Sequence, residues 1–514
     1  MKLRFLFSLM LGASLIASAQ GYQDGVDNYN AGRYDVAKTL LEKNFNDPTT
    51  DKAIANYYLG NIDFIENNLA GARAYYDKGV AANPSYPYNY IGQGTLELKA
   101  GNIDAAKKLF EQAMKFDKKN TAVIAAVARA YWMVDPVKYK KDIDKYINKA
   151  LKDSKNTESA VYILQGDMFL KEGRNPGEAG AQYDMAIMQD RDKGIVNREA
   201  YVKWAGTVDQ YNNEAKIKRL KELVEAQPNS ALALRELSEA YYAEGQYGRA
   251  LKAYEQYLEC PNHFQVDEQR TAGLLFSAGE YQRSIDYARK VLAQDPGLYL
   301  MHSIIMNDYY ELKDYAKAAE AGRELFAVKD AKLLANDYVV YSDVLVQTGA
   351  PAETVDSVIA VGMAKFPDDR SMKQGAANIY FNYAARYYTV AQEATDEAEK
   401  KAGLEKSIAY YDKAIECMPN IPDYWYYRGL ASYYLNGLQN PETQGSYEKV
   451  LSIIDETPAY LPSRANQYGQ ACYMLALIFR SSDPAKALEY VDKGLAVAPD
   501  LEALLKVKGE LTAQ

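Results

Sequence analysis

One spacing recurs along this chain and restricts it to a narrow set of folds. A small residue is followed by an aromatic or aliphatic residue four positions on, then by a small or aliphatic one seven on. Ala72, Tyr76 and Gly79 make one such triplet, and Ala106, Phe110 and Ala113 make the next. The leading positions are Ala37, Ala72, Ala106, Ile143, Ala179, Ala250, Ser284, Ala318, Val355, Ser407, Thr443 and Ala487. In order, they are separated by 35, 34, 37, 36, 71, 34, 34, 37, 52, 36 and 44 residues. Residues four and seven apart share a helix face, so each triplet predicts one amphipathic helix. The longest gap is two periods and hides a degenerate unit around 195–228, for about thirteen units in all.

Each unit carries a second helical pattern. Twelve residues before the leading position stands a Gly or another small residue, as at Gly60, Gly94, Ser238 and Ala272. A turn with an aromatic separates the two: GRYDVA (32–37), GQYGRA (245–250), GEYQRS (279–284) and KDYAKA (313–318). Prolines such as Pro84, Pro296, Pro419 and Pro499 close units, because proline cannot continue a helix. Small residues on both helices let them cross closely, and the bulky residue fills the space between them. One such pair cannot bury its apolar face alone, so neighbours must stack.

A period near 34 with these features resembles the tetratricopeptide repeat family, over roughly residues 22–499. The resemblance implies an all-α fold, a right-handed α-solenoid of helix pairs whose first helices line a concave face. It divides the chain into units at 20–192, a degenerate unit at 193–230, units at 231–370, and units at 371–499. The last group contains about 18 surplus residues, read as a helical insertion near 388–406 that extends one solvated helix pair, with a protruding contact element as the alternative. Within it Asp396/Lys400 and Glu397/Lys401 have helix-supporting spacing. The segment 500–514 is read as a capping helix, with Leu501, Leu504, Leu505 and Val507 on its covered side.

By the same resemblance, groove positions fall on Tyr57, Asn61 and Phe64, on Arg235, Glu239 and Tyr242, and on Tyr426, Leu430 and Tyr433. Asn61 fits one position of the family's carboxylate clamp, but its cationic partners are missing. The stretch DYWYYRGLASYYLNG (423–437) is richer in aromatics than packing on one face requires. Tyr426, Tyr433 and Tyr434 are therefore assigned to the concave face. The chain has 46 Tyr against 13 Phe and 3 Trp, and a repeat that takes several aromatics per unit accounts for most of them. A tyrosine-rich groove suits extended peptides or sugar rings.

The first residues, MKLRFLFSLMLGASLIASAQ, place two cations before an apolar run from Phe5 to Ile16 and a small-residue Ala17-Ser18-Ala19 site. This is the layout of a signal peptide at 1–19, cleaved after Ala19. No cysteine adjoins the site, so a lipoprotein anchor is not expected, and no other run is long and apolar enough to span a bilayer. The expectation is a soluble bacterial protein, periplasmic or secreted. Its net charge of −9 opposes nucleic acid or anionic lipid as the main partner. The lysine-rich stretch 138–155 is interrupted by Asp142, Asp144 and Asp153 and reads as a solvated helix face.

Cys260, Cys417 and Cys472 are scattered and read as small buried residues, with a Cys417–Cys472 bridge left open. Two histidines, His263 and His302, provide no material for a His triad or a multi-His metal site. There is no HExxH, CxxC, GxSxG or phosphate-binding loop. No cofactor, metal or catalytic activity is expected. The reading is a cell-envelope scaffold or adaptor that binds a protein or peptide segment through the groove; the alternative is a carbohydrate-binding repeat protein.

Overall fold

The computed structural model describes residues 21–173, 175–208 and 213–513. The proposed signal peptide lies outside the described residues. Among the described residues, twenty-seven α-helices run from Gly21–Asn30 to Glu502–Thr512, as thirteen pairs and a single last helix. The all-α repeat architecture read from the spacing is the one observed. The chain forms two compact units, divided between Tyr287 and Ala288.

Packing follows the sequence spacing closely. All twelve leading positions are at most 2% exposed, from Ala37 to Ala487. The bulky residue four positions on sits against the small residue of the first helix. A Cβ on Gly60 would lie 2.4 Å from the Tyr76 ring, and one on Gly94 would lie 2.5 Å from Phe110. Where the small residue is a serine, its buried hydroxyl donates to a carbonyl across the pair: Ser284 to Ala272 at 2.9 Å, and Ser407 to Ala384 at 2.9 Å. A buried hydroxyl is thus satisfied without opening the helix spacing. The turns GRYD, GQYG and GEYQ place Gly32, Gly245 and Gly279 at φ of 74°, 68° and 78°, the left-handed region glycine enters without a Cβ clash. In KDYA, Lys313 occupies that conformation at φ 62°.

The degenerate unit is the pair Arg198–Thr207 and Asn213–Ala226. Its bulky position is kept by Leu220 and the following one by Leu223, both buried. The leading position is Lys216, which reaches Glu236 on the next pair at 3.0 Å. A lysine where other units have a small residue explains why this repeat is hard to see in the sequence.

The surplus residues after 370 lengthen both helices of one pair, Arg370–Glu393 and Glu397–Cys417, to 24 and 21 residues. Asp396 does not pair with Lys400; it caps the second helix by accepting from the Ala398 and Glu399 amides, at 2.9 Å each. Lys401 lies instead near Glu405, at 3.9 Å. The last helix buries Leu504 and Val507, whereas Leu505 is 49% exposed and lies outside the covered side expected for it. In the helix Lys140–Ser154, Ile143, Tyr146, Ile147 and Ala150 face inward. Its Lys140 and Lys149 point outward and pair with Asp144 and Asp153, consistent with a solvated face. All three cysteines are free, two buried and Cys417 partly so.

Candidate functional site

The first unit does more than stack neighbour on neighbour. Its first helix, Gly21–Asn30, packs against the helices Arg198–Thr207 and Ala231–Ala243, so this unit closes on itself. Arg198 donates from Nε to Asp27 Oδ1 at 3.0 Å and makes a second, parallel contact from Nη2 to Oδ2. Asp24 accepts from Asn262 Nδ2 at 2.8 Å and from the Ala231 amide at 3.4 Å. That amide opens a helix, where the backbone favours negative charge. Asp24, Asp27, Ser230 and Asn262 are all at most 3% exposed, so the closure is a dry polar latch. Arg33 and Glu236 form a further ion pair across it.

Beside the latch the first unit has a half-open pocket of about 760 Å3. Its lining combines the apolar Phe64, Trp132, Met133 and Leu170 with Arg33, Lys99, Arg129, Lys171 and Lys203 and with Asp167 and Glu236. Five cations against two carboxylates give a cationic lining within a chain of net charge −9. The deeper charges are tightly paired. Asp167 accepts from Lys203 at 2.8 Å and from the Tyr183 hydroxyl at 2.7 Å, and lies 3.2 Å from Arg129. Arg129 also reaches Glu199 at 3.3 Å.

Burial works to raise the Asp167 pKa, but Lys203 and then Arg129 outweigh it and hold the carboxylate below its usual range. Burial likewise opposes the Arg129 charge, and Glu199 and Asp167 more than restore it. Near the same pocket Tyr29, Tyr58 and Tyr183 are pushed upward, chiefly by burial, and stay neutral hydroxyls. Two polar atoms in the lining have no hydrogen-bond partner, Trp132 Nε1 and Asn30 Oδ1. Their side chains are 9% and 8% exposed.

The residues predicted from sequence are dispersed. Phe64 lines the pocket. Asn61 is buried and accepts from the Tyr76 hydroxyl at 2.8 Å. Tyr57 stacks among Tyr58, Tyr76 and Tyr88. Arg235 is held by Asp267 at 2.8 Å, and Glu239 by Arg270 at 2.6 Å. Tyr242 is exposed and its ring lies 5.2 Å from that of Tyr247.

In the second unit Tyr426 is half-buried against the core and Tyr447, and Tyr433 is half-buried beside Tyr434. The exposed rings of that helix are Tyr427 and Tyr434, at 39% and 46%. Three ring contacts join it to the helix Arg370–Glu393, one of them from Phe381 to the buried Tyr424 at 5.3 Å. Phe381 meets Tyr427 at 5.6 Å, and Tyr388 meets Tyr434 at 6.0 Å. Both pairs step by seven residues on each helix, forming a two-rung aromatic ladder. Sequence reasoning missed Tyr427 because a helical wheel does not show where the next pair packs. It missed the pocket cations, Arg129 and Lys203, because nothing local marks them.

Among the described residues no group of His, Cys, Asp and Glu is placed to hold a metal, and no helix is long and apolar enough to cross a membrane. Helix pairs in tandem with small-residue crossings define an α-helical repeat protein. Residues 22–87 and 215–263 match the tetratricopeptide repeat family model, which supports that family for the chain. Among solved structures, the chain is similar to one in a structure of Naa15/Naa10 bound to HypK-THB, with 15% identity, 83% of this chain and 72% of that one covered, and a TM-score of 0.36. It is also similar to the C-terminal part of a TPR repeat-containing protein from Cytophaga hutchinsonii, with 14% identity, 58% and 94% covered, and a TM-score of 0.32. Yeast Tom70 is similar at 12% identity, with 90% and 95% covered and a TM-score of 0.31.

Proposed function

We propose that the protein is an exported scaffold of the bacterial cell envelope that binds another protein through the aromatic ladder of its second unit. Tetratricopeptide repeats serve generally as protein-interaction scaffolds. The observation that carries this reading is the pair of rungs, Phe381–Tyr427 and Tyr388–Tyr434, with Tyr427 and Tyr434 left exposed. Large rings already fixed by their neighbours lose little conformational entropy on binding and offer wide contact area, the chemistry of interface hot spots. Export is supported by the leader pattern of residues 1–19.

A photo-reactive residue placed at Tyr427 or Tyr434 in cells tests the interaction. Both positions should yield one and the same envelope protein, and the same probe at Lys149 should not. Recovery of the monomer alone from both positions, together with oligosaccharide binding by calorimetry, would overturn the scaffold in favour of a glycan-binding protein. Fractionation with N-terminal sequencing tests the compartment: the mature chain should begin at Gln20, and an uncleaved cytoplasmic chain would refute export.

A further inference from the structure

We propose that the pocket of the first unit binds a small amphipathic anion, an organic molecule with one acidic head group and an apolar or aromatic body. This goes beyond the scaffold reading and does not depend on it.

Shape is the first reason. The latch through Asp24, Asp27, Arg198 and Asn262 ties the first helix to residues far along the unit, and a half-open recess lies beside it. A volume of about 760 Å3 is that of a small-molecule site, too little for a folded partner. Charge is the second. The cations nearest the latch and floor, Arg33, Arg129 and Lys203, are each neutralised by carboxylates. Lys99 and Lys171 are exposed side chains of the lining, and among the described residues neither forms an ion pair, so their ammonium groups add positive potential where an anion would enter.

The third reason is the wall beside them. Ile65 and Leu170 are 41% and 39% exposed, yet both belong to the pocket lining, where they offer apolar surface to an occupant. Lys171 lies over the Trp132 ring at 4.7 Å, which brings the charge and the aromatic face together at one place.

Two probes with one skeleton separate head from body: 8-anilinonaphthalene-1-sulfonate and the neutral N-phenyl-1-naphthylamine. The full mature chain should bind the sulfonate at one site, with energy transfer from tryptophan that is reduced in Trp132→Phe and falls further when Trp204→Phe is added. The pair Lys99→Glu/Lys171→Glu should weaken the sulfonate by about tenfold or more and the neutral probe by less than about threefold. The same charge change on the solvated helix, Lys145→Glu/Lys149→Glu, should leave both unaffected. Decanoate and decyl phosphate should displace the sulfonate, and whichever does so at lower concentration identifies the head group. Inorganic phosphate should not displace it. A circular dichroism melt of each variant confirms that it is folded. Equal affinity for the two probes, an unchanged sulfonate affinity in the folded Lys99/Lys171 variant, or displacement by inorganic phosphate alone would overturn the proposal.

Discussion

Arg198 grips Asp27 across 171 residues of sequence, with Nε to Oδ1 at 3.0 Å and a parallel second contact. The Asp27 side chain is 1% exposed and that of Arg198 is 13% exposed, so the pair is desolvated and its two contacts run in parallel. Arg198→Ala therefore leaves a buried carboxylate without its cation and should destabilise the first unit by about 3–5 kcal/mol. Replacing both residues together, as Asp27→Leu/Arg198→Met, should restore most of that loss. Urea unfolding measures the stability, and hydrogen exchange in the helix Gly21–Asn30 reports the latch. An exchange rate there that is unchanged in Arg198→Ala would show that the ion pair does not hold the unit closed.

Asp24 makes the same latch sensitive to pH. Burial pushes its carboxyl up from 3.8 to about 7, against the Asn262 hydrogen bond and with a further rise from Asp27. The folded state thus retains a proton that the unfolded chain releases near its ordinary value, about 4. Stability should fall as pH rises from about 4 to about 7, and the loss is complete above that window. Asp24→Asn cannot ionise, so the gap between wild type and variant should shift by about 3 kcal/mol between pH 5 and pH 8, in favour of the variant at the higher pH. Parallel pH profiles for the two proteins would contradict this.

Tyr76 is held from two sides. A Cβ on Gly60 would fall 2.4 Å from its ring and one on Gly92 only 2.3 Å, while its hydroxyl is tied to Asn61. The ring has no free direction in which to give way, so Gly60→Ala should cost about 1–3 kcal/mol despite the better helix propensity of alanine. Gly273 also lies inside a helix, but its added Cβ would meet nothing within 4 Å. Gly273→Ala should stabilise by up to about 1 kcal/mol. Thermal unfolding of the two variants distinguishes them, and a common sign would refute the crowding argument.

Legibility in the sequence tracked the range of the interactions involved. The pair spacing could be read because Ala72, Tyr76 and Gly60 meet within one unit, so close packing leaves a fixed local pattern. The latch could not, because Asp27 and Arg198 look like ordinary surface charges until the first helix meets the sixth pair. For the same reason Arg235 and Glu239 read as groove positions, although Asp267 and Arg270 on the next pair claim them. The aromatic ladder lies between these cases. The density of rings in 423–437 was visible, but which rings stay exposed was decided by Phe381 and Tyr388 on the preceding first helix.

The degenerate unit offers the sharpest test of the repeat logic itself. Lys216 occupies the leading position, where Ala72 in the second helix pair is fully buried, yet its side chain is 21% exposed and turned to Glu236. Its ammonium is therefore not packed between the paired helices, and Glu236 keeps Arg33 when it is removed. Lys216→Ala should change unfolding free energy by less than about 1 kcal/mol, as for a partly solvated ion pair. Ala72→Lys forces the same group into a closed crossing that has no room for it, beside an Asp63 already engaged by Lys38, and should cost more than about 4 kcal/mol. Chemical denaturation of both variants decides the matter. A large loss in Lys216→Ala would show that this unit is held by its ion pair, and a small loss in Ala72→Lys would show that the leading position is not the tight crossing the spacing implies.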